Sequence, residues 1–308
     1  MITKQYKMDS SAIPLRGTKE YNDRREVLRK VAKDTLAAIK TGFVLNGVTH
    51  ELQPKTEDSK KRTVYYAPNS LLSTWSIPPT IPVVATRTRF TVLEISTIQA
   101  ARLLVSSAAP HEKIAILNFA SAKHPGGGFL NGAQAQEESI ARASTLYPTL
   151  MTSQAQNFYT LHNRDSKSGL YSHAMIYSPN VVVFRDDDGG WVEPIVVDVL
   201  TSPAVNAGVL RKSPWGKSAP EATEERIEKA MKERMGRILF LLEQQGAKHI
   251  VLGSFGTGVF QNNVTTIARL WAELLTTPDA RFQNCFTRVV FGILGNKTFT
   301  EFKAAFAD

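Results

Sequence analysis

The chain has a single cysteine, Cys285, among 308 residues. One thiol excludes an internal disulfide and a cysteine-rich zinc site, and it fits a reducing compartment. No apolar run approaches the ~18 residues that a membrane-spanning helix needs. The opening Met1-Ile-Thr-Lys-Gln-Tyr-Lys has no apolar core of the kind a secretion signal carries. An intracellular location, cytoplasmic or nuclear and not secreted, is therefore expected. The Asn-x-Thr sequons at Asn263 and Asn296 then imply nothing about glycosylation. The histidines at 50, 111, 124, 162, 173 and 249 include no pair at metal-ligand spacing. No Ser-His-Asp or Cys-His set can be read, and there is no internal repeat. Neither a metal nor a cofactor is expected.

What the chain does have is a hydrophobic share of 43% and a formal charge of +9, from 37 Lys plus Arg against 28 Asp plus Glu. The first fits an ordered globular protein and the second favours polyanionic partners without choosing among them. Residues 1–20 are polar. Apolar residues Val27, Leu28, Val31, Leu36 and Ile39 recur near 3.6 residues and predict a helix over 21–41. Arg24, Arg25, Arg29 and Lys30 on it read as a solvated face. Residues 52–62, rich in Lys, Glu, Asp and Ser, read as an exposed loop. Short strands follow at 63–67 and 83–86, with Pro78, Pro79 and Pro82 between them.

From about residue 88 strands and helices alternate. Strands are predicted at 89–93, 114–119, 175–177, 181–184, 195–200, 250–253 and 288–293. Helices are predicted at 96–107, 135–146, 222–245, 264–275 and 299–306, and 202–220 reads as loop. The run at 114–119 is continuously apolar, as in a strand buried on both faces. This alternation implies a layered α/β fold with a parallel or mixed sheet, whose ligands bind at the carboxyl ends of the strands.

The residues with chemical potential follow strand 114–119. Gly126, Gly127 and Gly128 stand seven residues before Gln136, Glu137 and Glu138, which open a helix. Three glycines are kept where φ is positive or another group must come close, and a flexible turn is the competing reading. The loop N–H groups and the helix start could bind an anion. Acids in a first helical turn also simply complement the dipole. Adjacent helical residues point about 100° apart, so the two carboxylates cannot do the same job. A helix N-terminus lowers a carboxyl pKa whereas a general acid needs it raised, so the acid is expected to be poised only in the bound complex. A second glycine loop, Gly253-Ser-Phe-Gly256-Thr257-Gly258-Val259-Phe260, lacks the dinucleotide spacing but suits a phosphate turn. Phe260 either stacks on a ligand or staples the following helix. Gly216-Lys217-Ser218 lacks the earlier glycine of a P-loop. Asp186, Asp187 and Asp188 read as a solvent-facing turn rather than a metal site.

Together these motifs resemble the poly(ADP-ribose) glycohydrolases of the short microbial and fungal type. The triple glycine and Gln136-Glu137-Glu138 look like that family's signature. The flanking Ile116-Leu117-Asn118-Phe119-Ala120-Ser121-Ala122-Lys123 and Ser139-Ile140-Ala141-Arg142-Ala143-Ser144-Thr145-Leu146-Tyr147 are similar to it as well. So are Leu252 to Phe260 and Asp198 to Asn206, and the resemblance covers roughly residues 20–308. His124 stands where the family more often has Asn. The resemblance implies a three-layer α/β/α macrodomain with a mixed central sheet over 89–308, and a mostly helical N-terminal extension over 1–88 packed on it. It implies hydrolysis of ribose–ribose O-glycosidic bonds from the chain end, with Glu138 as general acid and Glu137 on the ribose hydroxyls. The diphosphate would lie on the backbone of Gly126, Gly127, Gly128, Gly256, Thr257, Gly258 and Val259. Phe260 would pack on ribose or adenine, while Asn118 and Gln136 would contact the ligand or fix the loop. Expected partners are poly(ADP-ribose) on modified proteins and ADP-ribose as product, with no direct nucleic acid and no membrane. The process served is reversal of ADP-ribosylation, as in a DNA damage response. Two other readings stay open: a non-catalytic ADP-ribose reader and a mono-ADP-ribosyl hydrolase.

Overall fold

A computed structural model describes residues 17–77, 87–164 and 169–307. The strand predicted at 83–86 and the three prolines before it lie outside them. Helix α1 (Lys19–Thr41) starts where the Thr18 hydroxyl accepts the Tyr21 N–H at 3.2 Å, and it buries Leu28, Ala32, Thr35, Ala38 and Ile39. An antiparallel hairpin follows, β1 (Phe43–Leu45) and β2 (Val48–His50), then α2 (Gln53–Arg62) and β3 (Val64–Tyr66). The segment expected as a loop is thus a helix. Its inward face is Thr56 and Ser59, whose hydroxyls bond the carbonyls of Leu52 and Pro179 at 2.8 and 2.5 Å, so no apolar period marks it.

The alternating part runs β4 (Arg89–Leu93), α3 (Thr97–Val105), β5 (Ile114–Phe119), α4 (Gln136–Ala143), α5 (Leu146–Leu150), α6 (Ser153–Arg164), β6 (Met175–Arg185) and β7 (Trp191–Ser202). It continues with α7 (Ala207–Lys212), α8 (Pro214–Ser218), α9 (Pro220–Gln244), β8 (His249–Leu252), α10 (Val264–Leu275), β9 (Arg288–Gly292) and α11 (Asn296–Ala307). Three sequence expectations change here. The two strands read at 175–184 are one, with register shifts between Ser178 and Val181, where Asn180 has φ of 56°, and between Val183 and Arg185. The single helix read at 135–146 breaks at Ser144, which bridges to Val183, giving α4 and α5. The loop read at 202–220 contains α7 and α8, whose N-caps are the side chains of Asn206 and Ser213. Helix α6 and the β1–β2 hairpin had no reading in the sequence.

The seven-stranded sheet has the order β3-β6-β7-β5-β8-β9-β4. Strands β7, β5, β8, β9 and β4 are parallel neighbours, while β6 and β3 are antiparallel. Side chains alternate across it with period two. Ala115 and Leu117 of β5 join the core under α9 and α10, whereas Ile114 and Ile116 join the core under α3 to α6. This is the three-layer α/β/α arrangement with a mixed sheet. The residues before 88, expected as an extension, also supply β3, an edge strand of that sheet.

One buried cation ties the α9 layer to the strand ends. Arg234, fully buried, donates to the carbonyls of Pro203 at 2.9 Å, Leu170 at 2.9 Å and Tyr171 at 3.2 Å. Burial lowers its pKa to about 9. Arg234→Ala would remove these three donated hydrogen bonds. It is expected to lower the unfolding free energy by about 3 kcal/mol, read by urea denaturation; an unchanged midpoint would show that the carbonyls find other donors.

Candidate active site

Strands β7, β5 and β8 lie side by side and parallel, so the chain leaves all three at one edge. The segments that follow them interlock there. A β-carbon on Gly256 would stand 2.3 Å from the Ala204 side chain, and the Asn262 amide donates to the Val205 carbonyl at 2.7 Å. Phe119, the last residue of β5, packs on Phe255 with ring centroids 5.6 Å apart. Phe260 lies against Tyr171, centroids 5.8 Å apart.

Helix α4 begins at this edge and is docked by its first residue. The Gln136 carbonyl oxygen accepts the Phe119 N–H at 2.8 Å, and its amide donates to the Leu117 carbonyl at 2.7 Å and the Thr97 hydroxyl at 3.0 Å. Gln136, expected at the ligand or fixing the loop, thus places its polar atoms on β5 and α3. Glu137 is 2% exposed. Its oxygens accept from the Asn118 amide at 3.2 Å, the Ser121 N–H at 2.6 Å and the Gly126 N–H. Asn118, fully buried, also donates to the Thr201 hydroxyl at 3.2 Å, and its own oxygen has no partner. Glu138 is 7% exposed; one oxygen accepts the Gly128 N–H at 2.7 Å and the other is without a hydrogen-bond partner.

The two carboxylates do take different partners, as helical geometry predicted, yet they converge on one glycine. Gly127 has φ of 58°, and a β-carbon on it would lie 2.4 Å from a Glu138 oxygen and 3.1 Å from a Glu137 oxygen. Only glycine fits there. The N–H groups of the triple glycine, expected on a diphosphate, are engaged within the protein in this structure. The Gly126 N–H goes to Glu137, the Gly127 N–H to the His124 carbonyl at 2.9 Å and the Gly128 N–H to Glu138. In the second loop, by contrast, no acceptor among the described residues engages the N–H groups of Gly256, Gly258, Val259 and Phe260. The Thr257 N–H and hydroxyl close the turn onto the Ser254 carbonyl at 3.1 and 2.9 Å. Space beside Gly258 is open, and Val259 is 80% exposed.

Sequence reasoning missed Thr97, Ser121 and Thr201, which complete this network. No local signal marks them: two act from elements 39 and 83 residues away from their partners, and Ser121 acts through its backbone. The Asp186-Asp187-Asp188 segment is a turn in which Asp186 accepts the Gly190 N–H at 2.7 Å and Asp187 the Ser96 hydroxyl at 2.6 Å. A cavity of about 550 Å³ lined by Trp75, His173, Arg226 and Lys229 includes none of these site residues. Its acid, Glu233, is paired with Arg237 at 2.7 Å, so the site is better sought at the unpaired carboxylate.

The family described as microbial-type PARG, catalytic domain, matches residues 32–186, which contain both carboxylates. The chain belongs to the microbial-type PARG family. The poly(ADP-ribose) glycohydrolase (PARG) of Thermomonospora curvata is 35% identical, with 92% of this chain and 99% of that one covered and a TM-score of 0.81. The same enzyme bound to the inhibitor ADP-HPD aligns at 0.78. The PARG of Deinococcus radiodurans in complex with ADP-ribose is 36% identical over 82% of this chain and 97% of that one, at 0.70. No curated protein matches the chain.

Within this microbial-type PARG burial, not the helix N-terminus, dominates the acidity of Glu137. Burial outweighs the hydrogen bonds from Ser121 and Asn118, and with the nearby Glu138 charge it pushes the carboxyl up to about 8. In the unfolded chain the same group ionises near 4.5. Between those values the folded state holds more protons than the unfolded one, so stability falls as pH rises from about 4.5 to about 8. Glu137→Gln is expected to flatten that part of the stability curve, read by thermal melts across pH; an unaltered slope would place the titration elsewhere.

Proposed function

We propose that this chain hydrolyses the ribose–ribose O-glycosidic bond of poly(ADP-ribose), with Glu138 as general acid. The observation that carries the assignment is the asymmetry of the carboxylate pair. A raised pKa alone would nominate Glu137, but its oxygens are taken by Asn118, Ser121 and Gly126. Glu138 is held by one oxygen and keeps the other unpartnered, which is what an acid that must reach a substrate oxygen requires.

In this reading the diphosphate of the terminal unit lies on the unengaged N–H groups of Gly256, Gly258, Val259 and Phe260, where backbone dipoles can meet negative charge. Phe260, beside Tyr171, flanks the nucleoside end. The sugar is thereby set against α4. Glu138 protonates the leaving ribose oxygen as the C–O bond breaks, an oxocarbenium-like sugar forms, and the resulting carboxylate accepts a proton from the attacking water. Glu137, pushed up to about 8, adds little second negative charge beside the acid, and its place next to Glu138 supports the ribose contact that the resemblance implies. Asn118 and Gln136 hold these carboxylates through Glu137 and the start of α4. Gly126, Gly127 and Gly128 serve by wiring the acids rather than by gripping phosphate. The resemblance to the short-type enzymes supports cleavage from the chain end, with protein-attached polymer as substrate.

Glu138→Gln is expected to lower kcat by ~10²–10⁴-fold while ADP-ribose still binds, measured by release of ADP-ribose from automodified protein and by calorimetry. Unchanged turnover would remove Glu138 from its role. A time course run on defined polymer lengths is expected to yield ADP-ribose as the first small product; early oligomers would point to internal cleavage, and turnover confined to singly modified protein would favour a mono-ADP-ribosyl hydrolase.

A further inference from the structure

The basic residues of α1 read in the sequence as a solvated face, yet Arg25 is turned toward the catalytic loop. Its Nε and Nη2 both donate to the Asn131 carbonyl, at 3.1 and 2.8 Å. That carbonyl ends the short turn Phe129–Asn131, where the partial negative charge of a helical C-terminus favours a cation. The contact continues backbone to backbone. A β-carbon on Gly132, at φ of 73°, would stand 2.3 Å from the Arg25 carbonyl oxygen, so α1 and the loop meet at a distance only glycine permits. Next to it Ala32 of α1 packs with fully buried Phe129 of the loop and Ala141 of α4. One turn further, the buried Thr35 hydroxyl donates to the Arg142 carbonyl at 2.6 Å, four residues beyond Glu138.

The loop passes this contact on to the acid. The Gly128 carbonyl accepts the N–H groups of Asn131 at 2.9 Å and Ala133 at 3.1 Å, which closes residues 128–133 into one rigid turn. The N–H of the same Gly128 binds Glu138 at 2.7 Å. We infer that Arg25 is a positioning residue for the glycosidase reaction: through the Asn131 carbonyl it fixes the turn whose Gly128 N–H orients Glu138. Arg25 precedes the 32–186 segment that matches the family. The inference rests on the assignment of Glu138 as acid.

Arg25→Met keeps the side-chain stem and removes both donors. It is expected to lower kcat on polymer on the order of tenfold to hundredfold and to speed amide hydrogen exchange at 127–129, with the melting temperature little changed. Arg25→Lys, which can restore one donor, is expected to regain part of that kcat. Val31→Ala is the control: Val31 lies 3.1 Å from where a Gly189 β-carbon would be, away from the turn, so the melting temperature falls while kcat holds. Full activity and unchanged exchange in Arg25→Met would overturn the inference, as would an equal kcat loss in Val31→Ala. If the Met variant does not fold, Arg25→Lys decides alone, a wild-type kcat counting against. Should Glu138→Gln prove fully active, the assignment of the acid fails instead, and the two failures are told apart.

Discussion

A single backbone N–H, that of Gly128, holds the carboxylate proposed as the general acid. The contact exists because the residue before it has no side chain. Anything larger than glycine at 127 would overlap a Glu138 oxygen and press on Glu137. The loop between β5 and α4 is therefore shaped around two acids. Two of its glycine N–H groups hold them and the third closes onto the His124 carbonyl, while the N–H groups of Gly256, Gly258, Val259 and Phe260 after β8 have no acceptor among the described residues. The glycines of the two loops look alike in sequence and are wired differently.

The surrounding polar groups follow from that arrangement. Two adjacent carboxylates under cover need donors, and Asn118, Ser121 and Gly126 supply them to the deeper one. Burial still prevails there and favours the neutral acid. Arg142, one helical turn beyond Glu138, is itself lowered to about 10 by burial, opposed by the charges of Glu138 and Asp187. Its guanidinium donates to the Ala133 carbonyl and to Ser139, so it braces the same loop from inside α4. Gln136 sets the height of α4 on β5, and α1 closes the far side.

Much of the fold was legible because strand and helix periods are written in apolar residues. The fully buried run Ile114 to Leu117 and the stripe of Ile227, Met231, Met235, Ile238 and Leu242 needed no further information. The elements that escaped are those whose packing is polar or long-range. Helix α2 buries Thr56 and Ser59, and α7 and α8 are capped by Asn206 and Ser213 in a stretch of loop-like composition. Strand β6 carries Ser178-Pro179-Asn180 between two apolar runs, and only its pairing with β7 joins the halves.

The candidate site divides in the same way. The sequence by itself determined that two acids follow a triple glycine at the end of a buried strand, and that a second glycine loop closes a later strand. Those are local facts of spacing, and they sufficed for the family. Only the tertiary structure decided which acid is free, which glycine N–H groups remain open and that Arg25 faces the loop. Each depends on a hydrogen bond or a close approach whose partners come from separate elements: Gly128 with Glu138, Thr201 with Asn118, Asn131 with Arg25. No periodicity records such a pairing, because it arises when strand order and helix packing bring distant residues within 3 Å or so.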